Sequence, residues 1–397
     1  MIPYQILGLT HALSWVTDVI ATANGKEQRI ARRRAPRETF DVALAVDAEL
    51  DRRGLRYALF HDPVSTWDLP LPHEACAVLA AVTGASATVD ATYDDRFAVG
   101  SKVYVQSNDP AVGFEATISG ASGPANARVL ALSAGPSSGT YSAGLARVLP
   151  VLEVYMDDQQ ATAREAAAGD AVDADLEDVG AGSWSLKAVA KKSPATLGAG
   201  ASLTSFDSKY VLDVWPEIEG EAGETFDAAL TRFDSQGIAA QIWTRPHANV
   251  ARQHLYEGRS VADRQFWKLF FAQHYGRQVA FLAPTWQPDL DLVSQPAGGT
   301  TIDVVQNPGF LSWFATAPHK WLALLKVDGT IQYAKATAVS TVSGHDRVTV
   351  STTVTGPDVE RVSLLELVRF GEDDVAFTWA PDATTFSISP HLVVVQQ

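Results

Sequence analysis

The chain carries the same ordered set of phrases twice, and this repetition constrains its fold more than any other feature. Arg34-Ala35-Pro36-Arg37 precedes Thr66-Trp67-Asp68-Leu69 near the start. Far downstream, Thr244-Arg245-Pro246-His247 precedes Thr285-Trp286-Gln287-Pro288-Asp289-Leu290. Thr88-Val89-Asp90 is matched by Thr301-Ile302-Asp303, and Arg128-Val129 by Arg347-Val348. Trp67 and Trp286 are 219 residues apart, as are Arg128 and Arg347. Agreement at two separated points predicts an internal duplication, with repeats near residues 25–155 and 235–370. At 397 residues the chain is also too long for one small core.

The local pattern is that of strands. Lys102-Val103-Tyr104-Val105-Gln106 alternates, and runs over 114–118, 127–132 and 145–155 follow it. Clusters of Gly, Pro, Ser and Asn separate them, a spacing that predicts a small barrel or sandwich. In the second half, residues 210–215, 226–233 and 238–244 read as strands. One helix is expected over about 260–275, capped by Ser260 with Asp263 at the capping-box position and ended by Gly276. Asn24-Gly25 predicts a tight turn, and Asp328-Gly329 between two apolar runs predicts a hairpin.

The expected class is therefore mainly β with a minor helical component (α+β). It comprises two related β-rich modules, small barrel- or sandwich-like, from an internal duplication. The first module with its N-terminal segment spans residues 1–155, and the second, with one helix, spans 206–397. Between them, residues 156–205 read as an Ala/Gly-rich acidic linker or insertion.

Charge narrows the class of partner. A net charge of −15 repels phosphate backbones, so direct nucleic-acid binding is not expected. The basic cluster of Arg29, Arg32, Arg33, Arg34 and Arg37 reads as salt bridges to neighbouring acidic surface. Cys76 is the single cysteine and reads as a small buried hydrophobe, which fits a reducing cytoplasm. No run of about 18 apolar residues suggests membrane insertion.

A search for chemistry is mostly negative. Nucleophile elbows, phosphate loops and paired-cysteine or His-Glu-X-X-His metal motifs are absent. His247 and His254 are seven apart, but Pro246 places the first in loop. Asp289-Leu290-Asp291 and Glu372-Asp373-Asp374 could hold a hard cation, yet neither has the spacing of a calcium loop, and both read as solvated strand ends. No catalytic, cofactor-binding or metal-binding residue is assigned, and no cofactor is expected.

One long phrase resembles a known group. Residues 271–290, Phe-Ala-Gln-His-Tyr-Gly-Arg-Gln-Val-Ala-Phe-Leu-Ala-Pro-Thr-Trp-Gln-Pro-Asp-Leu, are similar to tail-tip and baseplate structural proteins of long-tailed bacteriophages and prophages. Trp15-Val16-Thr17-Asp18-Val19-Ile20, continuing to Arg34-Ala35-Pro36-Arg37, resembles their N-terminal phrase. Leu367-Val368-Arg369-Phe370-Gly371-Glu372-Asp373-Asp374-Val375 resembles their ending. The resemblance implies a non-enzymatic virion component of the distal-tail or upper-baseplate type, assembled in the host cytoplasm. It would join the tail tube to the hub and receptor-binding parts, as a homo-oligomeric ring. Trp67, Trp286, Arg37 and Arg277 are the candidate interface or module-core residues. The alternatives are a carbohydrate- or receptor-binding tail protein using exposed tryptophans and, further off, a glycan-cleaving tail enzyme using Asp289 and Asp291.

Overall fold

Period-2 patterning becomes strands whose alternate residues are buried. Val375, Phe377 and Trp379 of Asp374–Trp379 face a core while the residues between them are exposed. Trp321–Lys326 is buried along its whole length. Leu322 and Leu324 face one core and Ala323 and Leu325 another, so its sequence is apolar from Trp321 to Leu325 instead of alternating.

The computed structural model describes residues 5–21, 27–46, 57, 66–90, 96–107, 109, 112–137, 141–156, 162–164, 182–192, 197, 201–217, 223–227, 230–235, 238–243, 249–293, 298–317, 319–356, 358–380 and 384–395. The fold is mostly β, with antiparallel sheets and a minor helical component. Among the described residues no helix is long and apolar enough to cross a membrane.

The two halves share one pairing scheme. In the first, the strands run side by side as Gln5–Ser14, Arg37–Val46, Gly182–Ala190, Arg147–Met156, Lys102–Gln106, Gly113–Ser122, Arg128–Leu132 and Ser86–Val89. In the second, the order is Gly223–Asp227, Asn249–Gln253, His391–Val394, Val359–Phe370, Trp321–Lys326, Ile331–Val342, His345–Val354 and Gly299–Val305. Each series has a hairpin between its first two strands: Thr17–Ala21 with Glu27–Ala31, and Leu230–Ser235 with Ile238–Trp243. Each also has a short strand against its fourth, Trp67–Pro70 in one and Phe281–Pro284 in the other.

Lys102 and Trp321 open equivalent strands at the offset of 219. The correspondence extends beyond the repeated phrases, to strands from residue 5 to 190 and from 223 to 394.

Both series curl. Cys76–Ala77 pairs with Arg147–Met156 and Val78 bridges Val89, bringing the last strand of the first series back to its fourth. Leu290 bridges Val362 and Leu292 bridges Val304 in the second. Each small barrel has its own apolar filling, including Val103, Val105, Leu130 and Val148 in one and Ile302, Leu322, Val348 and Val362 in the other. Cys76 is a buried member of the first.

The halves meet edge to edge. Asp374–Trp379 pairs with the outer edge of Gln5–Ser14, and Phe386–Ile388 and Tyr256–Gly258 extend the same sheet. The largest core draws on both halves, with Leu9, Leu13, Phe40 and Leu71 packed with Trp267, Phe270, Phe281, Phe370 and Phe377.

Several expectations need correction. The segment expected as a linker contains Gly182–Ala190, an interior strand paired on one side with Arg37–Val46 and on the other with Arg147–Met156. Its Gly, Ser and Ala content hides a strand that partners on both sides impose. A second helix, Pro308–Thr316, follows an Asn307 cap and a first-turn proline. Residues 210–215 do not form one strand: Tyr210 ends a two-residue strand and Val211 makes a single bridge to Leu282. Residues 226–233 divide between two strands with different partners. Asn24-Gly25, the Thr244–His247 phrase and most of residues 157–181 lie outside the described residues.

Candidate functional site

The chemically richest place is the junction of the halves, where seven polar side chains lie inside the shared core. His11 and Glu38 come from neighbouring strands, on the same face because His11 pairs with Phe40 and Leu13 with Glu38. His73 and Glu74 sit on the short turn Pro72–Glu74, and Arg96 reaches in from the first half. Arg264 and Lys268 come from the second half. They lie one helical turn apart on Val261–Gln273 and present one face of that helix. All seven residues are buried.

The charges interlock. Arg96 binds both carboxylates, Glu38 at 2.6 Å and Glu74 at 2.7 Å. Lys268 donates to the other oxygen of Glu74, and Arg264 donates to the carbonyl of His73. His11 Nε2 lies 3.2 Å from Glu38. Burial by itself would raise the Glu38 carboxyl, but the Arg96 guanidinium and the His11 contact outweigh it and hold it at about 2. Burial acts likewise on Glu74, and Arg96 and Lys268 hold that group well below the usual carboxylate range. Burial lowers Lys268, His11 and His73, so both imidazoles are neutral near pH 7.

His11, His73 and Glu74 place ligand atoms within 4.8 Å of one another, which invites a metal reading. The surroundings oppose it. Both oxygens of Glu74 already accept from cations, and three cationic side chains face two carboxylates. A divalent ion there would add charge to a sealed pocket that is already electropositive. The arrangement suits fastening: truncating one member leaves its partners charged and unpaired in the core.

A second contact set lies beside it and uses different chemistry. Asp373 accepts from the Thr17 amide and hydroxyl, each at 2.7 Å, and from the Arg277 amide at 3.2 Å. Its carbonyl accepts from the Trp15 amide at 2.8 Å. The Arg277 guanidinium donates to the Thr17 carbonyl at 2.9 Å, and Arg29 donates to the Arg277 carbonyl at 3.0 Å. Gly276 has φ of 62°, and a Cβ there would lie 2.7 Å from an Asp373 oxygen and 2.9 Å from Trp15. These residues form a clasp between the first-half hairpin and the second half.

The four residues singled out from sequence scatter. Arg277 is part of the clasp. Arg37 is exposed opposite Ser14. Trp67 packs half-buried against the shared core, whereas Trp286 is buried against Ala323 and Leu325 with φ of 60°.

The acidic phrases also divide. Asp373 is in the clasp while Glu372 and Asp374 are exposed. Asp289 turns inward, accepting from the Thr285 hydroxyl and the Leu364 amide, and burial raises its carboxyl; Asp291 is exposed. Arg29 pairs with Glu27 and Arg32 with Asp18. His254 is buried, and His247 lies outside the described residues.

Sequence reasoning missed the buried network. Its one signal was Lys268, four residues from Arg264 and flanked by Trp267, Phe270 and Phe271 on a predicted helix.

No protein-family model and no curated protein matches the chain. Among solved structures it is similar, at a TM-score of 0.10 and 9% identity, to the N-terminal CBM22-1-CBM22-2 tandem domain from Paenibacillus barcinonensis Xyn10C, over 97% of this chain and 94% of that one. A likeness of that size carries no argument about fold or ligand.

Proposed function

We propose that the chain is a non-enzymatic structural component of a bacteriophage tail tip or baseplate, of the distal-tail or upper-baseplate type. In this reading it joins the tail tube to the hub and receptor-binding parts, as a homo-oligomeric ring in the virion. The observation that carries the reading is the clasp. The three phrases that resemble tail proteins, around Trp15-Val16-Thr17, Gly276-Arg277 and Asp373, lie far apart in sequence and meet at one contact. Residues that share a resemblance and also a contact behave as one structural unit. The buried charge network supports the same reading, because both oxygens of Glu74 and one of Glu38 already accept from Arg96 and Lys268 in the core, where a substrate would have to displace them.

Negative-stain imaging of the purified chain, alone and mixed with tail tubes from the phage or prophage that encodes it, tests the proposal. Closed rings that cap tube ends are expected. Monomers that ignore tubes and bind glycans saturably would sink it. The glycan-binding alternative has one feature to stand on, Trp215, which is 42% exposed and packs 4.9 Å from Trp286. Loss of sugar binding on Trp215→Ala would favour it.

A further inference from the structure

The hairpin Thr17–Ala21 with Glu27–Ala31 has two unlike faces. One face is fastened to the second half, through Thr17 to Asp373 and Arg29 to the Arg277 carbonyl. Strand alternation puts Val16, Asp18 and Ile20 on the other face, with Ile30 across from Asp18 and Arg32 across from Val16. Val16, Ile20 and Ile30 are all exposed there, Ile20 at 54%. Arginines border this apolar face. Arg32 is held by Asp18, whereas Arg33, Arg34 and Arg37 have no acidic partner among the described residues, and Arg34 and Arg37 are exposed.

The charge of this segment runs against the rest of the chain. Residues 27–37 carry five arginines and one glutamate, a net +4 in a chain of net −15, so the remainder carries −19. A surface of the opposite kind stands on the second barrel. The Val327 amide donates to the Asp358 carbonyl at 3.1 Å, which joins the turn after Trp321–Lys326 to the start of Val359–Phe370. Val327 is 56% exposed there, and Asp328, Asp358 and Glu360 are exposed around it. Among the described residues neither Asp358 nor Glu360 makes an ion pair.

We propose that the hairpin face of one copy docks on the Val327, Asp358 and Glu360 surface of a second copy of this chain. Apolar side chains meet apolar, and unpaired guanidiniums meet unpaired carboxylates. The same charges decide the symmetry. A two-fold contact through the hairpin would set arginines against arginines, so the contact joins unlike surfaces head to tail. Contacts of that kind close into a ring if the rotation permits. The inference rests on the ring reading above and adds to it the two surfaces that meet.

Charge reversal on the purified chain tests it. Mass photometry across concentration should show an oligomer whose midpoint of assembly rises about tenfold or more in Arg34→Glu/Arg37→Glu. Asp358→Arg/Glu360→Arg should weaken it similarly, and combining the four changes should restore assembly to within about threefold. Arg147→Glu, at an exposed position on the first barrel, should leave the midpoint unchanged. Each variant should melt with the parent, since the altered side chains are exposed. An oligomer indifferent to both reversals, or one the combination fails to restore, overturns this contact and leaves the ring reading standing. Duplex DNA binding at about 0.15 M salt that Arg34→Glu/Arg37→Glu abolishes would assign the face to phosphate and overturn it too. A chain that stays monomeric alone and with tail tubes overturns both readings.

Discussion

The two halves share a pairing scheme and differ in what covers their first strand. Gln5–Ser14 is enclosed by strands on both sides and carries His11 into a closed network of ions. Among the described residues Gly223–Asp227 has one paired edge, and it carries an exposed aromatic. One scheme of strand pairing has therefore produced an internal joint in one place and, among the described residues, an unpaired edge in the other. What differs is the second half's own additions. The helix Val261–Gln273 and the strand Asp374–Trp379 both reach across to the first half.

The sharpest way to break this contrast is Glu74→Ala. It would strand Arg96 and Lys268 in the core, and a loss of about 3–5 kcal/mol is expected, read as a lower denaturant midpoint. A loss below about 1 kcal/mol would mean the network relaxes and the junction is not sealed. Gly276→Ala should cost about 1–3 kcal/mol, since it forces a left-handed backbone and a Cβ into Asp373 and Trp15. Burial keeps His11 and His73 neutral in the folded chain, while unfolded imidazoles take a proton near pH 6.5. Stability is therefore full above that pH and falls as pH drops through it, by up to about 1.4 kcal/mol per pH unit for each histidine.

Below about pH 4.5, the ordinary value of unfolded glutamate, the depressed Glu38 and Glu74 add a second loss that continues toward about 2 for Glu38. Denaturant titrations from pH 8 to about 2 would show both phases. A flat profile between pH 7 and 5.5 would contradict neutral buried imidazoles. Ser260→Ala, which removes the cap of the helix carrying Arg264 and Lys268, should cost about 1 kcal/mol. Phe226→Lys at the open edge should change the stability of the isolated chain by less than about 0.5 kcal/mol. That last result, set against Glu74→Ala, would measure the difference between a sealed first strand and an open one.

Much of the architecture was legible because it is periodic. The alternation in Lys102–Gln106, the Asp328-Gly329 turn and the Ser260 cap are local signals, and each structure they announce is built from neighbours in sequence. The candidate site was mostly illegible. Glu38 and Glu74 look like ordinary surface carboxylates until Arg96 and Lys268, 58 and 194 residues away from them respectively, are placed beside them. Gly182–Ala190 was hidden for a similar reason, since its strand state depends on two partners distant in sequence.

By itself the sequence determined the duplication of phrases, the β class and the best helix, because composition and period act through near neighbours. Only the tertiary structure decided which charges are buried, which strand of each pair of counterparts is enclosed, and which residues form the clasp. Those outcomes depend on contacts between residues far apart in the chain, where burial changes the strength of every charge and hydrogen bond.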